Sequence, residues 1–306
     1  ALLALAIVVA WAGSFQGPFI LDDIHNIVAN PSIRDLTALD RVLSPPTDLG
    51  VGGRPVFNLS FALNHALGGL DVRGYHGFNV LMQIGVALAL LGVVRRALLL
   101  PALRTRFGRD ALPLAFVAAL LWALHPVQTQ AVTYISQRAE ALAGLFYLLT
   151  LYAFLRSLTT VTPARWQIVA VTCCALGMAT KEIVVTAPLL VWLFDRTFVA
   201  GTFRAALRAR PRFYAGLAGT WALLGFLLAG ITTRGVGASA DVTGWTYALT
   251  ESRVLIRYLG LAGFPHPLIF DYDAEFLRSL AAAAPYVIAI VLLVVAGRVD
   301  VLRGPA

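Results

Sequence analysis

The chain opens ALLALAIVVAWAGSFQGPFI (Ala1–Ile20), and LDDIHNIVAN (Leu21–Asn30) follows at once. The first run is almost wholly apolar and about as long as a helix must be to cross roughly 30 Å of hydrocarbon. The second sets two adjacent carboxylates, an imidazole and an amide where such a helix would leave the bilayer. Charge beside hydrocarbon is costly unless a partner or a task offsets it, which makes Asp22 and Asp23 the first candidates for chemistry. The plain structural alternative is solvated interfacial charge, with His25 and Asn26 capping a short helix.

Composition extends the membrane reading to the whole chain. Hydrophobic residues make up 59% and charged residues 13%, with a mean hydropathy of +0.78, whereas soluble domains are nearer one half and one quarter. The chain is therefore polytopic. Its net charge of +8 does not imply nucleic acid, because 23 of the 24 basic residues are Arg and most lie between apolar runs, where topology accounts for them. Cys173 and Cys174 are adjacent inside an apolar run, which excludes a disulfide framework and any metal-ligand spacing.

Apolar runs predict about eight spans: Ala1–Ile20, Tyr75–Val94, Asp110–Leu124, Ala139–Leu155, Trp166–Thr180, Ile183–Phe194, Phe213–Ile231 and Ala281–Ala296. The loops carrying Arg95–Arg109, Arg156–Arg165, Arg196–Arg212 and Arg298–Arg303 hold 14 basic and 3 acidic residues, net +11, while the opposite set holds 10 basic and 13 acidic, net −3. The positive side is expected to be cytoplasmic and to hold both termini. The outer face would carry two long loops, 21–74 and 232–280, each with an amphipathic interfacial helix, at Phe57–Leu70 and Tyr247–Leu261. No internal repeat or linker divides the sequence, so 1–306 is expected to be one all-α membrane domain.

The outer helix ends collect Asp22, Asp23, Arg54, His125, Arg138, Glu140, Lys181, Glu182, Arg253, Arg257 and His266. Each alone reads as a snorkelling or helix-end residue. Together, on one face, they point to a lined cavity, in which Arg138 and Lys181 would approach each other, with Glu140 and Glu182 as alternative partners. No Gly-rich phosphate loop or dinucleotide fingerprint is present.

Ordered blocks then resemble a known family. Asp22-Asp23 with Asn26, Asn30-Pro31 and Arg34, Arg54-Pro55 with Asn58-Leu59-Ser60, His76 with Asn79-Val80, His125-Pro126-Val127-Gln128-Thr129-Gln130-Ala131-Val132, Arg138-Ala139-Glu140, Lys181-Glu182, and Pro265-His266-Pro267-Leu268 with Phe270-Asp271-Tyr272 resemble GT-C integral-membrane glycosyltransferases, in particular the transmembrane and tetratricopeptide-repeat (TMTC) type. Two departures stand out: Gln130 occupies a position where members often carry Glu, and no tetratricopeptide-repeat region follows.

The resemblance implies a GT-C-like bundle that moves a sugar, mannose in this type, from a polyprenyl-phosphate carrier to an acceptor on the outer face with inversion. The acceptor would be a glycan or a protein Ser/Thr. Such chemistry needs a carboxylate to take the acceptor proton and cations to hold the phosphate. Neighbouring acids cannot both face one acceptor. Asp23, which begins the hydrophilic run, is expected to be the base, and Asp22 to orient the loop or help hold a divalent cation. Arg54, Arg138, Lys181, Arg253 and Arg257 are the expected phosphate holders, with His125, Glu140, Glu182 and His266 beside them. The site would face the periplasm of a bacterial inner membrane. The competing reading is a non-catalytic GT-C-like subunit of a larger membrane complex. A lipid flippase is disfavoured because the polar groups gather on one face, not at mid-bilayer.

Overall fold

The computed structural model describes residues 1–229, 231, 242–272 and 275–303, the last seven by backbone alone. All regular structure among the described residues is helical. The chain divides into two compact units, Ala1–Ile231 and Thr232–Ala306. Each is taken by itself.

In the first unit, α1 (Leu2–Trp11) runs on as a 3₁₀ turn to Gln16. A long ordered loop holds the short α2 (Leu39–Leu43), and α3 (Pro55–Gly68) follows, with Pro55 pre-set for a first helical position and Gly69 leaving at φ +60°. Then come α4 (Val72–Leu98), α5 (Pro101–Phe107), α6 (Ala111–Leu124), α7 (Thr129–Thr133), α8 (Arg138–Ser157), α9 (Pro163–Met178), α10 (Ala187–Asp195), α11 (Phe203–Ala209) and α12 (Pro211–Leu228). Three apolar cores hold them. One joins α1, α4 and α6 through Ile7, Ala87 and Ala119; another joins α8, α9, α10 and α12 through Phe154, Cys174, Val191 and Leu217. The third packs the first loop and α3 onto the starts of α4 and α8 through Ile27, Phe57, Phe61, Tyr75 and Ile135. The helix expected at Phe57–Leu70 is thus present as α3, with Phe57, Asn58 and Phe61 buried to 1% exposure or less.

In the second unit, Thr243 caps α13 (Gly244–Gly263) reciprocally with Thr246, and α14 is Leu280–Arg303. The connecting segment is tied to α13 where the Leu277 amide donates to Thr250 Oγ1 at 2.8 Å. Residues 232–241 of the expected second long loop lie outside the described residues.

Each run expected to span holds helix, but among the described residues fewer than eight helices are long and apolar enough to cross. Val72–Leu98, Ile135–Ser157 and Glu182–Ala200 are, and α5 with α6 would make a fourth if their 93° bend is one broken span. Of the others, α1 gives way to a 3₁₀ turn at Ala12, and α9 has only 16 residues. With its apolar helices, the chain is an integral membrane protein.

On the arginine-rich side, Asp195 at the end of α10 is fully buried and accepts two bonds from Arg210 (2.8 and 3.1 Å) and one from the Tyr214 hydroxyl (2.6 Å), locking α10 to the start of α12. Removing one partner of a buried pair leaves the other uncompensated, at about 3–5 kcal/mol, whereas replacing both with apolar groups costs far less. Asp195→Ala should therefore lower the detergent melting temperature sharply, and Asp195→Leu with Arg210→Met should recover most of the loss. Equal melting of Asp195→Ala and wild type would show that the clamp contributes little.

Candidate functional site

Asp22 and Asp23 sit in a tight bend that turns into a π-helical coil over Ile24–Val28, a form that recurs at functional sites. Leu21, just before them, has φ +45°, a left-handed conformation that strains a branched side chain and persists only where its surroundings enforce it. The enforcement is visible. Asp23 Oδ2 accepts from the Ile20 amide (3.1 Å), closing the bend on itself. Asp23 Oδ1 accepts from both the amide (2.7 Å) and hydroxyl (2.6 Å) of Ser136, and the Asp22 amide donates to the Tyr134 hydroxyl at 3.0 Å. The segment entering α8 thus holds the first loop in place.

This geometry separates the two acids. Asp23, expected to face the acceptor, is fully buried with both oxygens engaged, while Asp22 is exposed. Burial pushes the Asp23 carboxyl above its ordinary 3.8, against the lowering effect of its hydrogen bonds to Ser136 and Ile20. Burial likewise pushes the Tyr134 phenol up to about 12, so it stays a hydroxyl at neutral pH.

Arg138 departs from expectation in another way. It does not approach Lys181 across an open cavity; it is the largest fully buried side chain. Nε donates to Asn79 Oδ1 (2.8 Å), Nη1 to the Ser60 carbonyl (3.1 Å) and Nη2 to the Tyr75 carbonyl (2.9 Å). Phe78, Phe61 and Tyr75 present ring faces at 4.3, 4.9 and 5.7 Å. The physical reason is that its forked donors reach three acceptors at once, the Asn79 amide oxygen and the second lone pairs of one carbonyl in α3 and one in α4.

The other charges of this unit link in pairs. Lys181 bonds Glu140, and Arg54 holds Glu182 through two bonds, the shorter 2.8 Å. Because Lys181 and Glu182 are adjacent, the turn before α10 ties the starts of α3 and α8 together, helped by the Val56 amide bonding the Ala179 carbonyl at 3.1 Å. All four side chains remain 19–41% exposed. His125, partly exposed, accepts the Val127 amide on Nδ1 (3.3 Å) as a turn cap. In the second unit, Arg257 stacks on Tyr272 at 4.2 Å, Arg253 donates to the Glu275 carbonyl, and both line a cavity of about 550 Å³ with Glu275 and Tyr286. His266, exposed, lies edge-on to Phe264 at 6.3 Å.

No group of three His, Cys, Asp or Glu side chains gathers to hold a metal among the described residues, and both Asp23 oxygens are already committed to donors. Asp22 and Asp23 thus have no third such side chain gathered with them among the described residues. Tyr134 and Ser136 were not among the expected site residues. The one available signal was their place just ahead of Arg138 at the entry to a span, where polar side chains need partners.

Over 167 residues, 52% of its length, the chain is 36% identical to the mouse protein O-mannosyl-transferase TMTC1, covering 17% of that protein. It is 33% identical to Drosophila melanogaster Tmtc2 over 201 residues (61% of the chain, 20% of the relative), and 28% identical to Drosophila Tmtc1 over 305 residues (89% and 34%). The likeness is to the TMTC proteins. The chain spans between 17% and 34% of the length of these relatives. No family model and no solved structure matches it.

Two outcomes follow from the site. Arg138→Lys, which keeps the charge and loses the fork, should destabilise by about 1–3 kcal/mol, since one ammonium cannot span the three acceptors that the guanidinium reaches; a melting temperature within a degree of wild type would show that the fork is not needed. For Asp23 the native state favours the protonated form. Its contribution is therefore fully present below pH 3.8 and lost as pH rises through the higher native value. The stability advantage of wild type over Asp23→Asn should be largest below pH 3.8 and shrink above it, and a pH-independent difference in melting would refute the shift.

Proposed function

We propose that this chain is the membrane part of a glycosyltransferase that moves mannose from a polyprenyl-phosphate carrier to a protein Ser/Thr hydroxyl, with inversion. The observation that carries the reading is the strained, clamped bend that buries Asp23 and leaves the Asp22 carboxylate exposed. In this reading Asp22, not Asp23, takes the proton as the acceptor oxygen bonds the anomeric carbon and the polyprenyl phosphate departs with the glycosidic bonding pair. Asp23 positions it. Arg54 and Lys181, both partly exposed, would exchange their carboxylate partners Glu182 and Glu140 for the phosphate as negative charge develops there. All eight helical runs would lie in the bilayer, some tilted or broken. The arginine-rich side would be cytoplasmic and the site periplasmic, in a bacterial inner membrane.

The ground-state pairing of both cations, together with Gln130, favours a second reading, a non-catalytic subunit that packs against other membrane proteins.

The deciding measurement is sugar transfer by purified protein from polyprenyl-phosphate mannose to Ser/Thr peptides, read by intact mass. Asp22→Asn should leave melting unchanged and cut the rate ~10²–10⁴-fold, the usual contribution of a general base. Wild-type transfer with undiminished Asp22→Asn activity would remove Asp22 from the mechanism, and absence of transfer from wild type would favour the subunit.

A further inference from the structure

On the arginine-rich side, away from the site above, α4 and α8 diverge around a lateral groove of about 590 Å³. Its origin is in the sequence. A Cβ on Gly92 would stand 2.7 Å from a Tyr152 ring carbon, so only glycine lets that ring lie against α4; at Gly85 a Cβ would meet Leu145 at 3.4 Å. Between these contacts Leu88, Leu91, Leu145 and Leu149 line an apolar channel, with Leu88 and Leu99 exposed at its edge. Arg95 and Arg96 close one end.

Three features fit an amphiphile here. From Gly85 to Arg95 the channel runs ten residues, roughly 15 Å at helical rise, which is half of a roughly 30 Å hydrocarbon core and thus the depth of one leaflet. The charge is one-sided: no carboxylate lines the groove, and neither Arg95 nor Arg96 has an ion pair among the described residues. Nor are these arginines spent on capping α4. Its last carbonyls are met by the Leu99 and Leu100 amides at 3.3 and 3.1 Å, and the Arg96 guanidinium lies over the Tyr152 ring at 5.0 Å, at the mouth of the channel.

We propose that this groove binds an anionic phospholipid from the leaflet on the arginine-rich side, one acyl chain along Leu88, Leu91, Leu145 and Leu149 and the phosphate against Arg95 and Arg96. The site is separate from the proposed transfer chemistry and stands or falls without it.

The test is lipid binding to the full chain in detergent, read by native mass spectrometry, with phosphatidylglycerol and phosphatidylcholine of identical acyl chains. Phosphatidylglycerol should bind more tightly. A basic residue near a headgroup contributes roughly 5-fold, so Arg95→Gln with Arg96→Gln should abolish that preference, weakening phosphatidylglycerol on the order of 25-fold. Arg104→Gln with Arg106→Gln, on α5 and outside the groove, should keep it, and Leu88→Trp should weaken both lipids by obstructing the channel. Melting of each lipid-free variant verifies folding. Equal retention of the two lipids by wild type, a preference surviving in the Arg95/Arg96 variant, or glycerol phosphate competing as well as the whole lipid would each overturn the proposal, the last because it reduces the site to a surface anion contact.

Discussion

A fully buried guanidinium, Arg138, with no ion pair among the described residues, sits where α3, α4 and the start of α8 meet, and the arrangement around it depends on how that charge is accommodated. Taking a cation out of water costs several kcal/mol even after relaxation. Arg138 offsets this with three hydrogen bonds and three aromatic faces, drawn from α3, α4 and the Phe78 turn of α4. None of those partners is an ion, so the charge is solvated by the fold itself. The start of α8 is consequently fixed against two other helices, and so is the turn just before it. That turn carries Tyr134 and Ser136, which grip the first loop.

The first loop is organised by polar contacts as much as by apolar ones. Asn30 donates to Asn58 Oδ1 (3.0 Å) and accepts from the Ser32 amide (2.9 Å), while Asn58 donates to Ser32 Oγ (2.9 Å) and the Val42 carbonyl (2.8 Å). Buried amides of this kind are costly unless satisfied and directional once they are. They select one loop conformation where a purely apolar interior would tolerate several. The strained backbone at Leu21 is tolerable for that reason, since its neighbours on both sides are held by bonds that a relaxed bend would break.

The sequence made the helices legible and left their partners obscure. Apolar runs located the helices expected to span, and amphipathic spacing located α3 and α13, because side-chain periodicity and helix termination are local properties. Glu140 and Glu182 were readable as partners for nearby cations, yet which cation each would take depends on how α3, α8 and the turn before α10 meet. Adjacent acids were readable as facing apart. Which of them turns inward depends on a π-helical turn and a positive φ at a leucine, neither of which has a compositional signature. Arg138 looked like a ligand-facing cation because its depth is set by helix crossing, which no linear pattern encodes.

The same coupling constrains any chemistry at the exposed carboxylate. Asp22 is attached to a bend that cannot reorient without breaking bonds to Ser136, Tyr134 and Ile20, so a reacting hydroxyl would have to come to it. Fixed placement of this kind lowers a barrier by removing reorganisation at the moment of reaction. The partly exposed cations are arranged differently. Arg54 and Lys181 each carry a carboxylate partner while remaining partly open to water, where an ion pair is weak and readily exchanged. The fully buried Arg138 could not exchange partners at all without opening the core. The chain thus keeps its immovable charge for architecture and its replaceable charges at the surface, where an anionic group can compete for them.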